Sequence, residues 1–254
     1  MSPIAFEPDV HRALWGEEEW LVSAHPSSPG RILGGGGKTL RDVCPDFPVL
    51  IKRIRAESRL SVQVHPNEAT AKAVGGEPKT EMWCVLEPGP IFAGFRSGVT
   101  APDVERAVAD GSFEDILVRF DARRGECYFI PGGLVHTIGE GTTVYEVQQS
   151  SNTTFRLYDW GRVGADGKPR TLHVKEALAA MDVSLPPPTP KTSVECPYFS
   201  FSQVEAGDIG PSGSWRALYT PSSRVSLLLP PGAEARAEAD SFLTVISGAQ
   251  GKMV

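Results

Sequence analysis

An alternation of apolar and polar residues at positions 60–65 constrains the fold of this chain more than any other feature. The stretch reads LSVQVH, so apolar Leu and Val residues take turns with Ser, Gln and His. A period of two residues predicts a β-strand with one apolar and one polar face. Because side chains two positions apart leave a strand on the same side, Gln63 and His65 would lie next to each other.

Turn-forming residues are frequent along the whole chain and indicate many short strands. The 254 residues include 26 Gly and 22 Pro, and 41% of the residues are hydrophobic. Further strand patterns lie between the turns, at 48–55, 81–95, 125–160 and 192–246. A chain of this length can bury a substantial core, and the pattern favours a mainly β protein over a helical bundle.

A few segments depart from the strand pattern. Residues 1–45 look irregular, and their glycine-rich part lacks the first glycine of a phosphate-binding loop because Ile32 stands there. Residues 101–120 carry the clearest helical pattern, which Gly111 divides into two short helices. Residues 170–181 predict another short helix.

Two further residues could complete a metal site with Gln63 and His65. Glu81 opens the next predicted strand. His136 follows a Pro-Gly-Gly turn, from which a strand could bring it opposite the first pair. Two imidazoles, one carboxylate and one amide oxygen suit Zn²⁺ or another divalent metal. A histidine on a strand is often only a hydrogen-bonded polar group, so the spacing alone leaves both interpretations open.

The segment around His136 resembles the second sequence motif of the cupin superfamily. Gly125, Pro131, Gly133 and His136 match its pattern Gly-x5-Pro-x-Gly-x2-His. The final position differs, because Glu140 stands where the motif has Asn. The resemblance implies a jelly-roll barrel.

The first cupin motif fits poorly, and the departures are those of type I mannose-6-phosphate isomerases. A Gln replaces the first His, and the Glu follows only after a long insertion. The family's ligand signature resembles LSVQVHP (60–66) followed by KTEMW (79–83). Its last His ligand and active-site Arg lie in a stretch similar to residues 135–162, and WLVSAHP (20–26) resembles a further stretch. The resemblance runs from about residue 14 to 181 and points to the short bacterial branch.

The resemblance implies a metal-dependent aldose–ketose isomerase with one Zn²⁺ per chain. It would interconvert mannose 6-phosphate and fructose 6-phosphate by proton transfer through an enediolate. The implied metal ligands are Gln63, His65, Glu81 and His136. The implied catalytic residues are Arg156, Glu146 and Lys79. The implied phosphate-binding residues are Ser61, Lys79 and Arg162.

Several of these roles have alternatives. Arg162 could be a solvated loop charge, and Lys79 could offset neighbouring glutamates. Glu146 is the leading candidate for the proton-shuttling base, but it could instead support His136. Arg156 could stabilise the enediolate or bind the phosphate.

The resemblance also implies how the chain is divided. We expect the N-terminal region and a metal-binding cupin barrel with a helical insertion within residues 1–184. A stiff proline-rich connector at 184–191 would lead into a cupin-like β segment at 185–254. We expect this second barrel to be incomplete, since the strands that would close it do not follow in the sequence.

Composition excludes several classes of protein. The net charge of −6 argues against a general nucleic-acid role, but not against a small anionic substrate. No apolar run approaches the roughly 20 residues that span a bilayer. The polar N-terminus is no signal peptide and the four cysteines form no CxxC pair, so we expect a cytoplasmic protein with reduced thiols.

Alternative functions remain open at this stage. A non-catalytic cupin could bind a sugar phosphate without turning it over. A cupin dioxygenase would use iron and an O₂ site, and would not need cations for a phosphate. The oligomeric state could be a monomer or a homodimer.

Overall fold

The computed structural model describes residues 2–164 and 167–248 and shows a mainly β protein in these ranges. The strands are β1 (Ile4–Ala5), β2 (Val10–Ala13), β3 (Gly16–Val22), β4 (Val49–Ala56), β5 (Val62–Val64), β6 (Glu81–Glu87), β7 (Gly89–Phe95), β8 (Leu117–Ala122), β9 (Cys127–Ile130), β10 (His136–Ile138), β11 (Thr143–Gln149), β12 (Phe155–Tyr158), β13 (Ser193–Glu195), β14 (Phe199–Gln203), β15 (Gly207–Ile209), β16 (Arg216–Thr220), β17 (Val225–Leu229), β18 (Ala235–Ala237) and β19 (Phe242–Ile246). The helices are α1 (Leu40–Val43), α2 (Ala71–Val74), α3 (Ala101–Asp110), α4 (Phe113–Ile116) and α5 (Val174–Ala180).

Two antiparallel sheets pack on each other around the first hydrophobic core. One has five strands in the order β12-β5-β10-β7-β8, and the other has six in the order β2-β3-β4-β11-β6-β9. Buried side chains from both sheets meet between them, among them Ile54, Trp83, Ile91, Ile138 and Val144. Both sheets therefore present one face to a shared interior, which also receives the polar face predicted for residues 60–65.

A third sheet covers the outer face of the six-stranded sheet. Its order is β1-β17-β16-β19-β14-β13, and β15 and β18 form a separate two-stranded ribbon. Tyr145 on β11 stacks on Tyr219 on β16, with ring centroids 5.0 Å apart. Side chains of β11 alternate accordingly, since Tyr145 and Val147 face the third sheet while Val144 packs in the first core. The central strands β4, β11 and β6 of the six-stranded sheet are thus buried on both faces.

The third sheet contains strands from both predicted segments of the chain. β1, near the N-terminus, pairs with β17 through Ile4 and Leu228. The core beneath it also mixes the segments, because Met82 and Tyr145 belong to the same buried cluster as Phe199. The division at residue 184 stays a prediction, and the part of the second predicted barrel beyond residue 248 lies outside the described residues.

The prediction that residues 1–45 are irregular was wrong. β2 and β3 form an antiparallel hairpin whose second strand pairs with β4. Three consecutive glutamates at 17–19 weaken the strand pattern in the sequence, because glutamate is disfavoured in strands. The register compensates for this, since Glu17 lies opposite Arg55 and Glu19 opposite Arg53.

The helix predictions are confirmed in part. Gly111, at φ +80°, ends α3 in the left-handed conformation that favours glycine, and α4 follows after it. However, residues 117–120 belong to strand β8, and residues 170–173 precede helix α5. His173 precedes the helix as its N-cap, and its backbone N–H donates to the Arg156 carbonyl at 2.8 Å. No helix in the described ranges is long and apolar enough to cross a membrane.

Candidate metal centre

Strand β5 positions the first donor groups because it is paired on both sides. Gln63 lies directly opposite His136 on β10 and opposite Arg156 on β12. Opposite residues on neighbouring antiparallel strands present their side chains on the same face. The three side chains therefore form a row across the sheet, and His65 extends it along β5.

Glu81 on β6 reaches this row from the facing sheet. Its Oε2 atom lies 3.5 Å from His65 Nε2, and its Oε1 atom lies 3.4 Å from His136 Nε2. The ligand atoms of these three residues all lie within 4.8 Å of one another, and all three side chains are buried. The structure thus brings together three residues that are 16 and 55 positions apart in the sequence.

Hydrogen bonds to backbone carbonyls fix which nitrogen of each imidazole is free. His65 Nδ1 donates to the Thr153 carbonyl at 2.8 Å, and His136 Nδ1 donates to the Leu134 carbonyl at 2.8 Å. The proton is therefore on Nδ1, and the Nε2 lone pairs face Glu81. Burial, followed by the Lys79 charge, lowers the pKa of His65 well below its usual value, and burial lowers the pKa of His136 to about 4. Both rings are neutral at neutral pH, as a metal ligand requires.

The carboxylate of Glu81 has a single cationic partner among the described residues. Lys79 Nζ lies 2.8 Å from Oε2, while Oε1 is buried without a hydrogen-bond donor. The same ammonium group is 3.1 Å from His65 Nε2. These atoms favour a positive charge, and a metal cation would use the same two donors as Lys79. His65, Glu81 and His136 therefore fit a divalent cation.

Gln63 can supply a fourth ligand atom only through its amide oxygen. Its Nε2 atom is 3.4 Å from His136 Nε2, and its Oε1 atom is 3.4 Å from the Ser61 hydroxyl. The two ends of an amide differ little in shape, so the hydrogen-bonding partners decide its orientation. A half-turn of the amide would direct its oxygen to the cation that the other three residues favour.

A cavity of about 470 Å³ adjoins this cluster. Five of the residues implied by the sequence line it: Ser61, Gln63, Lys79, Glu146 and Arg156. Arg162 does not line it. That side chain pairs with Asp159 and borders a separate depression with Ser58 and Trp160. The role of Arg162 in phosphate binding stays a prediction.

Glu146 projects from β11 into the cavity with one oxygen fixed and the other without a hydrogen bond. Trp83 Nε1 donates to Oε2 at 2.9 Å. Oε1 is buried without a hydrogen bond in the described structure and lies 3.8 Å from Lys52 Nζ. Burial, followed by the Glu81 charge, raises the pKa of Glu146. This carboxyl can therefore exchange a proton closer to neutral pH than an exposed glutamate.

Lys79 remains protonated although it is buried. Burial alone would lower the pKa of this amine, but the charges of Glu81 and Glu146 outweigh that effect and raise it. Its ammonium group is therefore a fixed positive charge between the metal cluster and the cavity.

Sequence reasoning did not find four charged or titratable residues that line the cavity. They are Glu18, Lys52, Arg170 and His173. Lys52 gave a usable signal, because it interrupts an apolar strand on the side that faces the first core. Arg170 and His173 gave no signal in the sequence, since they were predicted to lie on a helix. Their position depends on how residues 170–173 run beside β12.

Comparisons with known proteins agree with this site. No protein-family model matches the chain. A Bacillus subtilis protein named "Probable mannose-6-phosphate isomerase GmuF" is 30% identical over 217 residues, which cover 71% of this chain and 69% of that protein. The chain belongs to the mannose-6-phosphate isomerase family. A second relative, mannose-6-phosphate isomerase ManA from the same organism, is 29% identical over 249 residues and 78% of each chain.

Solved structures from this family share the fold. The crystal structure of the Bacillus subtilis mannose 6-phosphate isomerase superposes with a TM-score of 0.78 at 24% identity, and covers 96% of this chain and 99% of that one. A mannose 6-phosphate isomerase solved with zinc and yttrium superposes with a TM-score of 0.64 at 16% identity, over 97% of this chain and 100% of the other. The predicted cupin-type, mainly β fold is confirmed.

Proposed function

We propose that this protein is a zinc-dependent isomerase that interconverts mannose 6-phosphate and fructose 6-phosphate. One observation carries the proposal: two neutral imidazoles direct their unprotonated nitrogens at the buried carboxylate of Glu81, beside the Lys79 ammonium and next to a cavity lined by further cations. Membership of the family supports the same substrate pair.

Gln63, His65, Glu81 and His136 would hold the metal. Zinc accepts this mixture of nitrogen and oxygen ligands, and a relative was solved with zinc bound. When bound, a divalent metal supplies Lewis acidity that stabilises negative charge on the sugar oxygens at C1 and C2. Backbone carbonyls that hold both imidazoles would keep these ligands oriented during turnover.

Proton transfer between C1 and C2 needs a group that can both accept and release a proton. We assign this role to Glu146, because its Oε1 atom is free of hydrogen bonds and its side chain lines the cavity. Trp83 holds the other oxygen, so the free one has a fixed direction. The raised pKa brings the carboxyl closer to the working pH, which favours general acid–base catalysis.

The cations would orient the substrate and stabilise charge that develops on it. Arg156 lies next to Gln63 in the row across the sheet, where its guanidinium group could stabilise the enediolate. Lys79 would add a positive charge between the metal cluster and the cavity, and Ser61 a hydroxyl donor. These groups have no evident use in a dioxygenase, so the isomerase is favoured.

A coupled assay tests the proposal directly. Zinc-loaded protein should form fructose 6-phosphate from mannose 6-phosphate, and a Glu81→Gln variant should lose both zinc and activity. The metal content of both proteins is measured by mass spectrometry of the purified samples. Wild-type protein that holds zinc but gives no turnover would sink the enzyme assignment and leave a sugar-phosphate-binding protein.

We also propose a cytoplasmic location. All four cysteines are free thiols, and three of them are buried, which suits a reducing compartment.

A further inference from the structure

The cavity has a second cationic end that lies away from the metal cluster. Neighbouring strands are about 4.8 Å apart, so the row from His136 across Gln63 to Arg156 spans about 10 Å. Beyond Arg156, the cavity is lined by Arg170 and His173. A six-carbon sugar with its reactive end at the metal would extend its 6-phosphate in this direction.

We propose that Arg170, held in place by Asp159, binds the phosphate of the substrate together with Arg156 and His173. The inference rests on the proposed function and adds a binding residue to it. Arg170 would be a substrate-binding residue, and Asp159 would be a positioning residue that acts through Arg170.

Asp159 fixes the plane of the Arg170 guanidinium group. Arg170 Nε donates to Oδ2 at 2.7 Å, and Arg170 Nη2 donates to Oδ1 at 2.5 Å. The Asp159 side chain is only 5% exposed, so solvent competes little for these two hydrogen bonds. The pairing uses two of the five N–H groups of the Arg170 guanidinium, so three remain for an anion. Because Asp159 already fixes the orientation of the group, binding an anion does not have to order it.

Arg156 shows that this end of the cavity is short of negative charge. Its Nε atom is buried without a hydrogen-bond partner among the described residues. Burial, followed by the charge of Arg170, lowers the pKa of Arg156. Like charges held close together in a partly buried site favour an anion between them.

The charge of this end of the cavity suits an anion. Arg156 and Arg170 line it with two positive charges, and the one negative charge of Asp159 is shared between Arg170 and Arg162, which lies outside the cavity. A sugar phosphate, with nearly two negative charges at neutral pH, would balance the remaining positive charge.

His173 adds a neutral donor beside these charges. Its Nδ1 atom accepts the backbone N–H of Arg156 at 3.3 Å, so the ring proton lies on Nε2. Burial, followed by the charge of Arg156, lowers the pKa of His173, which keeps the ring neutral. The Nε2–H group can then donate to a phosphate oxygen, and Asn152 and Thr154 add further polar groups to the lining of the cavity.

Arg162 provides the rival assignment, because it pairs with the same Asp159 but borders the separate depression. Arg170→Met leaves Asp159 paired with Arg162, so the carboxylate does not become an unpaired buried charge. Arg59→Met serves as the control for removing a cation from that depression, since Arg59 pairs with Glu114 and does not line the cavity.

The experiment measures KM and kcat for mannose 6-phosphate, and the affinity for inorganic phosphate by calorimetry, on zinc-loaded proteins. Arg170→Met should raise KM about 10- to 100-fold with a smaller change in kcat, and should weaken phosphate binding by a similar factor. Arg170→Lys keeps the positive charge but cannot form both hydrogen bonds to Asp159, so its KM should lie between those of the wild type and Arg170→Met. This variant also tests the proposal if Arg170→Met does not fold. Asp159→Asn should raise KM less than Arg170→Met.

The inference is overturned if Arg170→Met binds phosphate like the wild type, or if Arg162→Met raises KM more than Arg170→Met does. Zinc content and melting temperature, measured on each variant, separate a loss of binding from a loss of fold. If the wild type has no isomerase activity, the proposed function fails. The calorimetric comparison of wild type and Arg170→Met then still decides whether Arg170 binds the anion.

Discussion

Lys52 is a buried cation whose removal should destabilise the fold. Its side chain is 5% exposed and its ammonium group is 2.9 Å from Glu18 and 3.8 Å from Glu146. It also lies 4.9 Å from the centre of the Trp20 ring. Lys52→Met keeps most of the apolar stem but leaves two mostly buried carboxylates without this partner.

The expected cost follows from the burial of the pair. Breaking a buried ion pair costs about 3–5 kcal/mol, because the remaining charge is poorly solvated. The Glu18 side chain is 23% exposed, which places the loss near the lower limit, at about 3 kcal/mol. The double variant Lys52→Met/Glu18→Gln removes both charges, so we expect it to lose only about 1 kcal/mol, well below the sum of the losses of the two single variants.

Urea unfolding at a fixed zinc concentration measures these values, since bound metal itself stabilises the fold. Arg55→Met is the matched control: Arg55 pairs with Glu17 across the same two strands, but its side chain is 38% exposed and the pair is screened by solvent, so we expect a much smaller loss than for Lys52→Met. A Lys52→Met variant that loses no more than the control would refute the argument, as would a double variant as unstable as the sum of the single ones.

The same reasoning predicts how this loss depends on pH. In the wild type, Lys52 lowers the pKa of Glu18 against the opposing effect of burial, so this pair stabilises the protein above the usual pKa of glutamate and less as pH falls. Without Lys52, burial raises the pKa of the carboxyl, which then binds a proton on folding. The stability deficit of Lys52→Met should therefore be larger at pH 8 than at pH 5. A deficit that grows towards low pH would contradict the mechanism.

Three further predictions concern the metal, the cavity and the core. His136→Ala should remove both metal and activity, which metal analysis and the coupled assay check; full activity would refute its role as a ligand. Arg156→Ala should keep the metal but lower kcat/KM about 100- to 1000-fold, since it removes a cation that stabilises charge on the bound substrate; unchanged kcat/KM in the same assay would refute this. Phe199→Ala should destabilise the protein by about 3–5 kcal/mol in urea unfolding, because this fully buried ring packs in the core shared by both predicted segments, and a loss below 1 kcal/mol would contradict a shared core.

The strand at residues 60–65 was predictable because its pattern is local. Alternation within six residues is enough to place Gln63 and His65 on one face, and the family resemblance supplied Glu81 and His136. The hairpin of β2 and β3 was missed for the opposite reason. Its glutamates are acceptable in a strand only because arginines on β4 lie opposite them, and β4 begins about 27 residues further along the chain.

The end of the cavity lined by Arg156, Arg170 and His173 was harder to predict than the metal cluster. Metal ligands are a restricted set of residue types at restricted spacings, so a motif can indicate them. The position of residues 170–173 depends on two hydrogen bonds between His173 and the backbone of Arg156. The helical periodicity of the residues that follow suggested a helix here instead. Lys52 was visible as a charge in an apolar strand, but its partner Glu18 lies on the hairpin that was missed.

The two ends of the cavity are held by strands that differ in how well they are covered. β11 is paired on both sides and buried on both faces, so its amides should be among the last to exchange with deuterated water. β12 lies at the edge of its sheet, with Arg156 at the outer end of the row. Exchange should therefore be slow at Glu146 and faster around Arg156 and residues 170–173. The part of the cavity around Arg156 would then loosen more readily than the strand that carries Glu146.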